Sequence, residues 1–270
     1  MFLVLALSLL PFLASSSLGA NEAKNDLARV FKTGLLRVGI KAQAPPFSEN
    51  KNGKLVGFDV SMAQAIASYL EVELELIPLS SSERIPTLLD NKVDLVIATM
   101  TITRSREDQV DFSVPYFQDG QSLLCKTDSK VQSYQDLKGL KVAAVKGTTS
   151  LKNLSLVQPE ALVLPYDSAE LALAALLAGE IDAFSSDMLM LMGIKLNHAQ
   201  GDQLELRGGR FTVEPYGVAV RPNQSDLRDK VNEAIMSMWK SGTWKAMYTK
   251  WFGPQSAYAM ENSFEVKVLN

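Results

Sequence analysis

Short apolar runs alternate with helical stretches along most of the chain, and this alternation constrains the fold more than any other feature. Residues 36–40, 73–79, 93–98, 141–145, 161–164 and 181–184 each read as a strand. Between them lie helical stretches at 61–70, 83–90, 148–156, 168–179 and 188–196. In the first of these, Met62, Ile66 and Tyr69 fall on one face, as a helical period requires. Strands joined through helices run parallel in the sheet. The expected class is α/β, with mainly parallel sheets covered by helices on both faces. A polar helix over 22–31 precedes the pattern. After it, residues 226–240 place Leu227, Val231, Ile235 and Met238 on one stripe. Gly242 breaks that helix, and residues 243–252 group Trp244, Met247, Tyr248 and Trp251 at helical spacing, which reads as packing.

The 270 residues suit two domains. A weak repeat points the same way. Leu88-Leu89-Asp90-Asn91-Lys92-Val93-Asp94 matches Leu176-Leu177-Ala178-Gly179-Glu180-Ile181-Asp182, and the same offset carries Thr99 onto Asp187. Both copies read as helix, tight turn, then Val-Asp or Ile-Asp opening a strand. Two lobes of similar topology are expected.

The net charge of −3 gives no basic excess, so no nucleic-acid partner is expected. The chain has one cysteine, Cys125, and one histidine, His198, which cannot by themselves build a zinc site. His198 sits in a polar helix end and reads as exposed. There is no G-x-S-x-G, no phosphate-binding P-loop and no dinucleotide fingerprint, so no cofactor is expected. Residues 1–20 carry no charge, and 2–13 are apolar apart from Ser8 and Pro11. That run is too short for a bilayer span but fits a secretory core with small residues behind it. A signal peptide cleaved near Gly19 or Ala20 is expected, although no positive residue opens it.

In open parallel sheets, ligands bind beyond the carboxyl ends of the strands. The residues there are Lys41 after the first strand and Arg84 at the helix following the second. Thr99, Thr101 and Arg106 follow the third. The second half offers Thr148 and Thr149 at a helix start, and Asp187 after the last strand. Helix N-termini and guanidinium forks favour carboxylate or phosphate, while a lone aspartate suits an ammonium. One ligand carrying carboxylate and ammonium would satisfy both sides, leaving Lys41 or Arg84 for a second acidic group.

Three stretches carry a resemblance. Gly57-Phe58-Asp59-Val60 is the first. The run from Val93 through Thr99-Met100-Thr101-Ile102-Thr103-Arg104-Ser105-Arg106 is the second, and Val110-Asp111-Phe112-Ser113-Val114-Pro115-Tyr116 the third. With Lys250-Trp251-Phe252-Gly253, they resemble the periplasmic solute-binding proteins of the polar amino-acid ABC-importer family (family 3), from about residue 35 to 253. The resemblance implies a type II periplasmic-binding-protein clamshell with two crossing segments, near 118–126 and 214–219. Lobe 1 would comprise 33–121 plus 217–253 and lobe 2 122–216, with an extension at 254–270 that is flexible or strand-like. It also implies a soluble, monomeric periplasmic receptor with no catalysis, serving the membrane permease of an ABC importer.

Carried over by position, Arg106, Thr101 and Thr149 would hold a ligand α-carboxylate, and Asp187 with the Thr99 main chain its α-amino group. Ala44 stands where many members place an aromatic residue, and Ser81 where some do. Lys41 reverses the acidic charge that binders of cationic amino acids tend to have there. Arg84, in Ser82-Glu83-Arg84-Ile85-Pro86, resembles the arginine of aspartate and glutamate binders. The expected ligand is aspartate or glutamate, with Lys41 and Arg84 facing its side-chain carboxylate. The alternatives are another polar amino acid, a cyclohexadienyl-dehydratase-like enzyme on the same fold with Glu83 as its candidate acid, or a sensor ectodomain.

Overall fold

The computed structural model describes residues 25–260 and 264–265, so the apolar head lies outside the described residues. Helix α1 (Asp26–Thr33) is capped by Asn25, whose side chain accepts from the Ala28 N–H, and ends at Gly34 in the left-handed region. Strand β1 (Leu35–Lys41) leads to a hairpin of β2 (Glu49–Lys51) and β3 (Lys54–Val56). Then come α2 (Phe58–Tyr69), β4 (Glu73–Leu79), α3 (Arg84–Leu89), β5 (Leu95–Val96), α4 (Arg104–Glu107) and β6 (Asp111–Phe112). The chain next passes through β7 (Phe117–Asp119) into β8 (Gln121–Lys126), β9 (Lys141–Val145), α5 (Ser150–Val157), β10 (Leu162–Tyr166) and α6 (Ala169–Ala178). It continues through β11 (Ala183–Asp187), α7 (Met188–Asn197) and β12 (Leu204–Arg207). It returns by β13 (Glu214–Tyr216) to β14 (Ala219–Val220), and finishes with α8 (Ser225–Ser241) and α9 (Thr243–Phe252).

Two five-stranded sheets result, ordered β4-β1-β5-β14-β6 and β10-β9-β11-β8-β12. In each, the first three strands run parallel and the fourth runs antiparallel to the third. The repeat seen in the sequence is structural. Asp94 accepts the Arg37 N–H at 2.9 Å beside β5, and Asp182 accepts the Lys141 N–H at 2.8 Å beside β11. In both lobes the aspartate ties the start of a strand to its neighbour. The antiparallel strands β8, β12 and β14 are not expected from the alternation. β8 and β14 are almost wholly buried and β12 is half-buried without alternation, so none shows the period of an exposed strand, and none has an α-helix on each side.

The sheets are joined through an antiparallel ribbon of β7 and β13, with Tyr216 opposite Phe117 and Glu214 opposite Asp119. Residues 121–126, expected within a crossing segment, belong instead to the second sheet. The ribbon is rooted in the core of the first lobe. Phe117 meets Phe47 edge-on at 5.1 Å between ring centroids and lies 5.0 Å from Phe252 of α9, while Tyr216 meets Phe47 at 5.5 Å. Trp244 and Tyr248 are buried and Met247 and Trp251 half-buried against the same core, as the packing reading of their spacing expects. Residues 254–260 form turns rather than a strand. The Met260 N–H donates to Phe252 O, Tyr258 Oη accepts from Asn197 of α7 at 2.9 Å, and Met260 Sδ accepts from Arg210 at 3.7 Å.

Gly57 caps α2 at φ +147, where a Cβ would lie 2.0 Å from Phe47 O. Gly57→Ala should lower the unfolding free energy by more than about 2 kcal/mol in urea titration, because fixed backbone blocks the methyl. Gly53→Ala, also at positive φ but with nothing within 4 Å, should cost only about 1 kcal/mol.

Candidate functional site

All eight residues chosen from strand-end positions line one small cavity, together with Ser186 and Met190, and the lobes pinch its free space to about 10 Å³. The reason is topological. Lys41 ends β1, Arg84 opens α3, and Thr99, Thr101 and Arg106 follow β5. Across from them, Thr148 and Thr149 precede α5, Asp187 ends β11, and Met190 lies in the first turn of α7. The parallel strands of both sheets deliver their carboxyl ends to the same cleft.

Thr99 has φ +46, which is rare for a β-branched residue and costs on the order of 1–3 kcal/mol. A buried carboxylate holds it there. Asp59 accepts the Thr99 N–H at 2.8 Å and the Tyr116 hydroxyl at 2.8 Å. Burial pushes the Asp59 carboxyl up to about 7, against these hydrogen bonds and the charges of Lys41 and Arg84. Asp59 belongs to a motif visible in the sequence, but nothing there ties it to a residue forty positions on.

Arg84 is only 3% exposed, and its donors are engaged by main-chain carbonyls. Nε donates to Ser81 O at 3.0 Å, Nη1 to Ala98 O at 2.8 Å and Thr99 O at 3.2 Å, and Nη2 to Gly147 O at 2.9 Å. The expectation that this fork faces a ligand side chain is therefore revised. Arg84 contributes charge to the wall, with little hydrogen-bonding capacity to spare. It pairs with neither Glu83 nor Asp90. Arg106 donates through Nη1 to Thr101 O at 2.6 Å and through Nη2 to the same Gly147 O at 2.9 Å. One carbonyl of the second lobe thus accepts from two guanidinium groups of the first. Gly147 sits at φ +77, and a Cβ there would lie 2.7 Å from Ser81 O, so the two lobes meet backbone to backbone.

Asp187 occupies the N-cap of α7 but makes no side-chain cap bond. Asp119 on the ribbon takes that role, accepting the Leu189 N–H at 3.0 Å while pairing with Arg210 at 2.7 Å. Released from capping, Asp187 accepts the Tyr216 hydroxyl at 2.6 Å. Burial, with Asp119 and Glu214 nearby, raises its carboxyl to about 7. Glu214 is buried on the ribbon and holds α5. It accepts the Thr149 hydroxyl at 2.9 Å and the Asn153 amide at 2.9 Å. The Thr149 hydroxyl also accepts from Gln121 at 2.9 Å, and that of Thr148 donates to Val145 O at 2.6 Å. Both hydroxyls are committed within the protein. What α5 offers an anion is its first turn, which has no side-chain cap. Sequence reasoning missed Asp59, Tyr116, Met190, Glu214 and Tyr216 as parts of this site.

Lys41 is 8% exposed. Among the described residues its ammonium has no carboxylate within 4 Å, and its hydrogen-bond acceptor is the Met190 thioether at 3.5 Å, a weak one. Burial and the charge of Arg84 lower its pKa to about 7, against the pull of Asp187 and Asp59. Burial and Arg106 likewise lower Arg84, to about 9.

Other candidates lie elsewhere. Glu83 is exposed, and hydrogen bonds from Ser80 hold its carboxyl below the usual range, which does not suit a general acid. His198 is half-buried outside the cavity, its Nδ1 accepting the Gln200 N–H at 3.1 Å. Cys125 is buried in the second lobe, and burial raises its thiol to about 11. Among the described residues no cluster of histidine, cysteine and carboxylate groups could hold a metal, and no helix is long and apolar enough to cross a membrane.

Two α/β lobes that close over a charged cavity about a two-stranded ribbon define a type II clamshell binding protein. Residues 36–254 match the family model of bacterial extracellular solute-binding proteins, family 3, and the chain belongs to that family. It is 36% identical over 258 residues to the ABC transporter glutamine-binding protein GlnH of Bacillus subtilis (strain 168), with 93% of each chain covered. An ancestral arginine-binding protein bound to glutamine is 41% identical, with a TM-score of 0.77 over 82% of this chain and 98% of that one. The ancestral amino acid-binding protein AncCDT-1, a precursor of cyclohexadienyl dehydratase, is 34% identical. Its TM-score is 0.75, over 84% of this chain and 99% of that one.

The buried Asp187 makes a stability prediction. Its folded pKa lies above the ordinary value of 3.8, so the native state holds a proton that the unfolded state has lost. Its contribution therefore falls as pH rises from about 4 to about 7 and is level beyond. Asp187→Asn removes that fall. The variant should exceed the parent in unfolding free energy by a few kcal/mol at pH 8 and by little at pH 4, measured by urea titration without ligand.

Proposed function

We propose that the protein is an extracytoplasmic receptor that binds aspartate or glutamate and delivers it to the membrane permease of an ABC importer. The observation that carries this reading is Lys41, a buried ammonium in the cavity whose acceptor is a sulfur rather than an oxygen. A side-chain carboxylate supplies the missing oxygens and charge, with Arg84 adding its field from behind. The α-carboxylate lies between Arg106 and the first turn of α5, and the α-ammonium against Asp187 and the Thr99 main chain. Thr101 orients Arg106 through its carbonyl. The names of the relatives given above include glutamine and arginine. A cationic side chain would meet Lys41 and Arg84 with like charge, whereas glutamine offers Lys41 a carbonyl but no charge.

Binding works by population shift. Arg106 and Lys41 stand on one lobe, and Asp187 and α5 on the other. Only the closed form contacts the ligand from both sides, so the ligand favours closure, and the permease reads the closed shape.

Lys41→Met tests the assignment by calorimetry. It should weaken glutamate and aspartate binding at least a hundredfold and glutamine binding less than tenfold. Equal losses for the acid and the amide would refute it. Arg106→Lys, which cannot form a bidentate pair, should weaken every α-amino acid by a similar factor.

The two shifted groups also set a pH profile. Binding needs Asp187 ionised and Lys41 protonated, and burial between the closed lobes brings both to about 7. Affinity for the acidic ligand should peak near neutrality and fall up to about tenfold per pH unit on either side. Lys41→Met should abolish the alkaline limb and keep the acid one.

A further inference from the structure

Met190 is absent from the set of residues that strand ends identify, yet it closes one end of the cavity. It is 4% exposed, and its sulfur lies 3.5 Å from Lys41 Nζ and 3.8 Å from Thr99 Oγ1. Met190 lies in the first turn of α7, three residues after Asp187, the N-cap of that helix. The position of α7 against the first lobe is fixed one turn further on. A Cβ at Gly193 would lie 2.2 Å from Pro45 O, so the helix backbone rests directly on the 45–46 loop.

Beyond Met190 the space widens. A depression of about 170 Å³ shares Lys41, Thr148, Ser186 and Met190 with the inner cavity of about 10 Å³, and it continues past Ser81 and Glu170. The Ser81 hydroxyl there is buried and has no partner among the described residues. Met190 thus stands with Lys41, Thr148 and Ser186 between a small inner chamber and a larger outer one, and it is the apolar member of that boundary.

We propose that Met190 determines the longest ligand side chain the cavity accepts. Asp187, the anchor of the ligand ammonium, and Met190 are joined by the start of α7, so their backbone spacing is fixed. A longer side chain reaches Lys41 only by displacing the thioether. The proposal deepens the reading of Lys41 as the side-chain anchor and rests on it.

The test is a ladder of aspartate, glutamate and 2-aminoadipate, each longer by one methylene, titrated into the parent protein, Met190→Ala and Met190→Leu. A methylene at a fixed apolar boundary discriminates about 10–200-fold. The parent should reject 2-aminoadipate. Met190→Ala should raise the affinity for 2-aminoadipate relative to aspartate at least tenfold, and Met190→Leu should leave that ratio within about threefold of the parent. An unchanged ratio in a Met190→Ala protein that still melts cooperatively overturns the proposal. If that variant loses its cooperative melt, Met190→Val carries the same expectation. If the parent binds none of the three acids, the reading of Lys41 has failed separately. The ladder is then run with asparagine, glutamine and homoglutamine, where the same ratio supports or overturns the role of Met190.

Discussion

Three cations, Lys41, Arg84 and Arg106, are buried around one small cavity whose lining holds a single carboxylate, Asp187. Buried charge is tolerated only when hydrogen bonds and counter-charges surround it. Much of the surrounding structure supplies them. Arg84 is held by four main-chain carbonyls, one from the opposite lobe, and Arg106 by two. Lys41 is the exception, with a thioether where an oxygen would serve better. The constraint on the ligand follows from that exception.

The ribbon between the lobes is more than a connector. Tyr216 and Glu214 stand two residues apart on β13, so both side chains leave the same side of the strand. The first holds Asp187, and the second holds Thr149 and Asn153 on α5. Opposite them, Asp119 caps α7 and frees Asp187 from that task. The aromatic contacts of Phe117 and Tyr216 with Phe47 anchor the ribbon in the first lobe. The second lobe's half of the cavity is thereby aligned on a segment rooted in the first. Glycines at 147 and 193 let the lobes meet backbone to backbone beside the cavity.

The strand and helix alternation was readable, and with it the cavity, because parallel strands deliver their ends to one side. Lys41, Thr99, Arg106 and Asp187 could be named from that rule alone. What each group does there was less legible. Arg84 is tied to Gly147, 63 residues away, and Thr149 to Glu214, 65 residues away, and neither pair leaves a local pattern. Asp59 lies in a recognisable motif, but its bond to the Thr99 N–H exists only once α2 and β5 are packed. The antiparallel strands β8, β12 and β14 escaped because none alternates in burial and none has an α-helix on each side. Met190 read as one apolar residue in an apolar helix. Only the geometry puts its sulfur against Lys41.

Family membership places the chain among extracellular solute-binding proteins, and the charge of the cavity narrows the ligand. The most direct measurement is a side-by-side calorimetric titration with glutamate and glutamine at pH 7, two ligands that differ by one ionised oxygen against an amide nitrogen. The excess of buried cations predicts that glutamate binds at least tenfold more tightly. Equal or tighter binding of glutamine would contradict it.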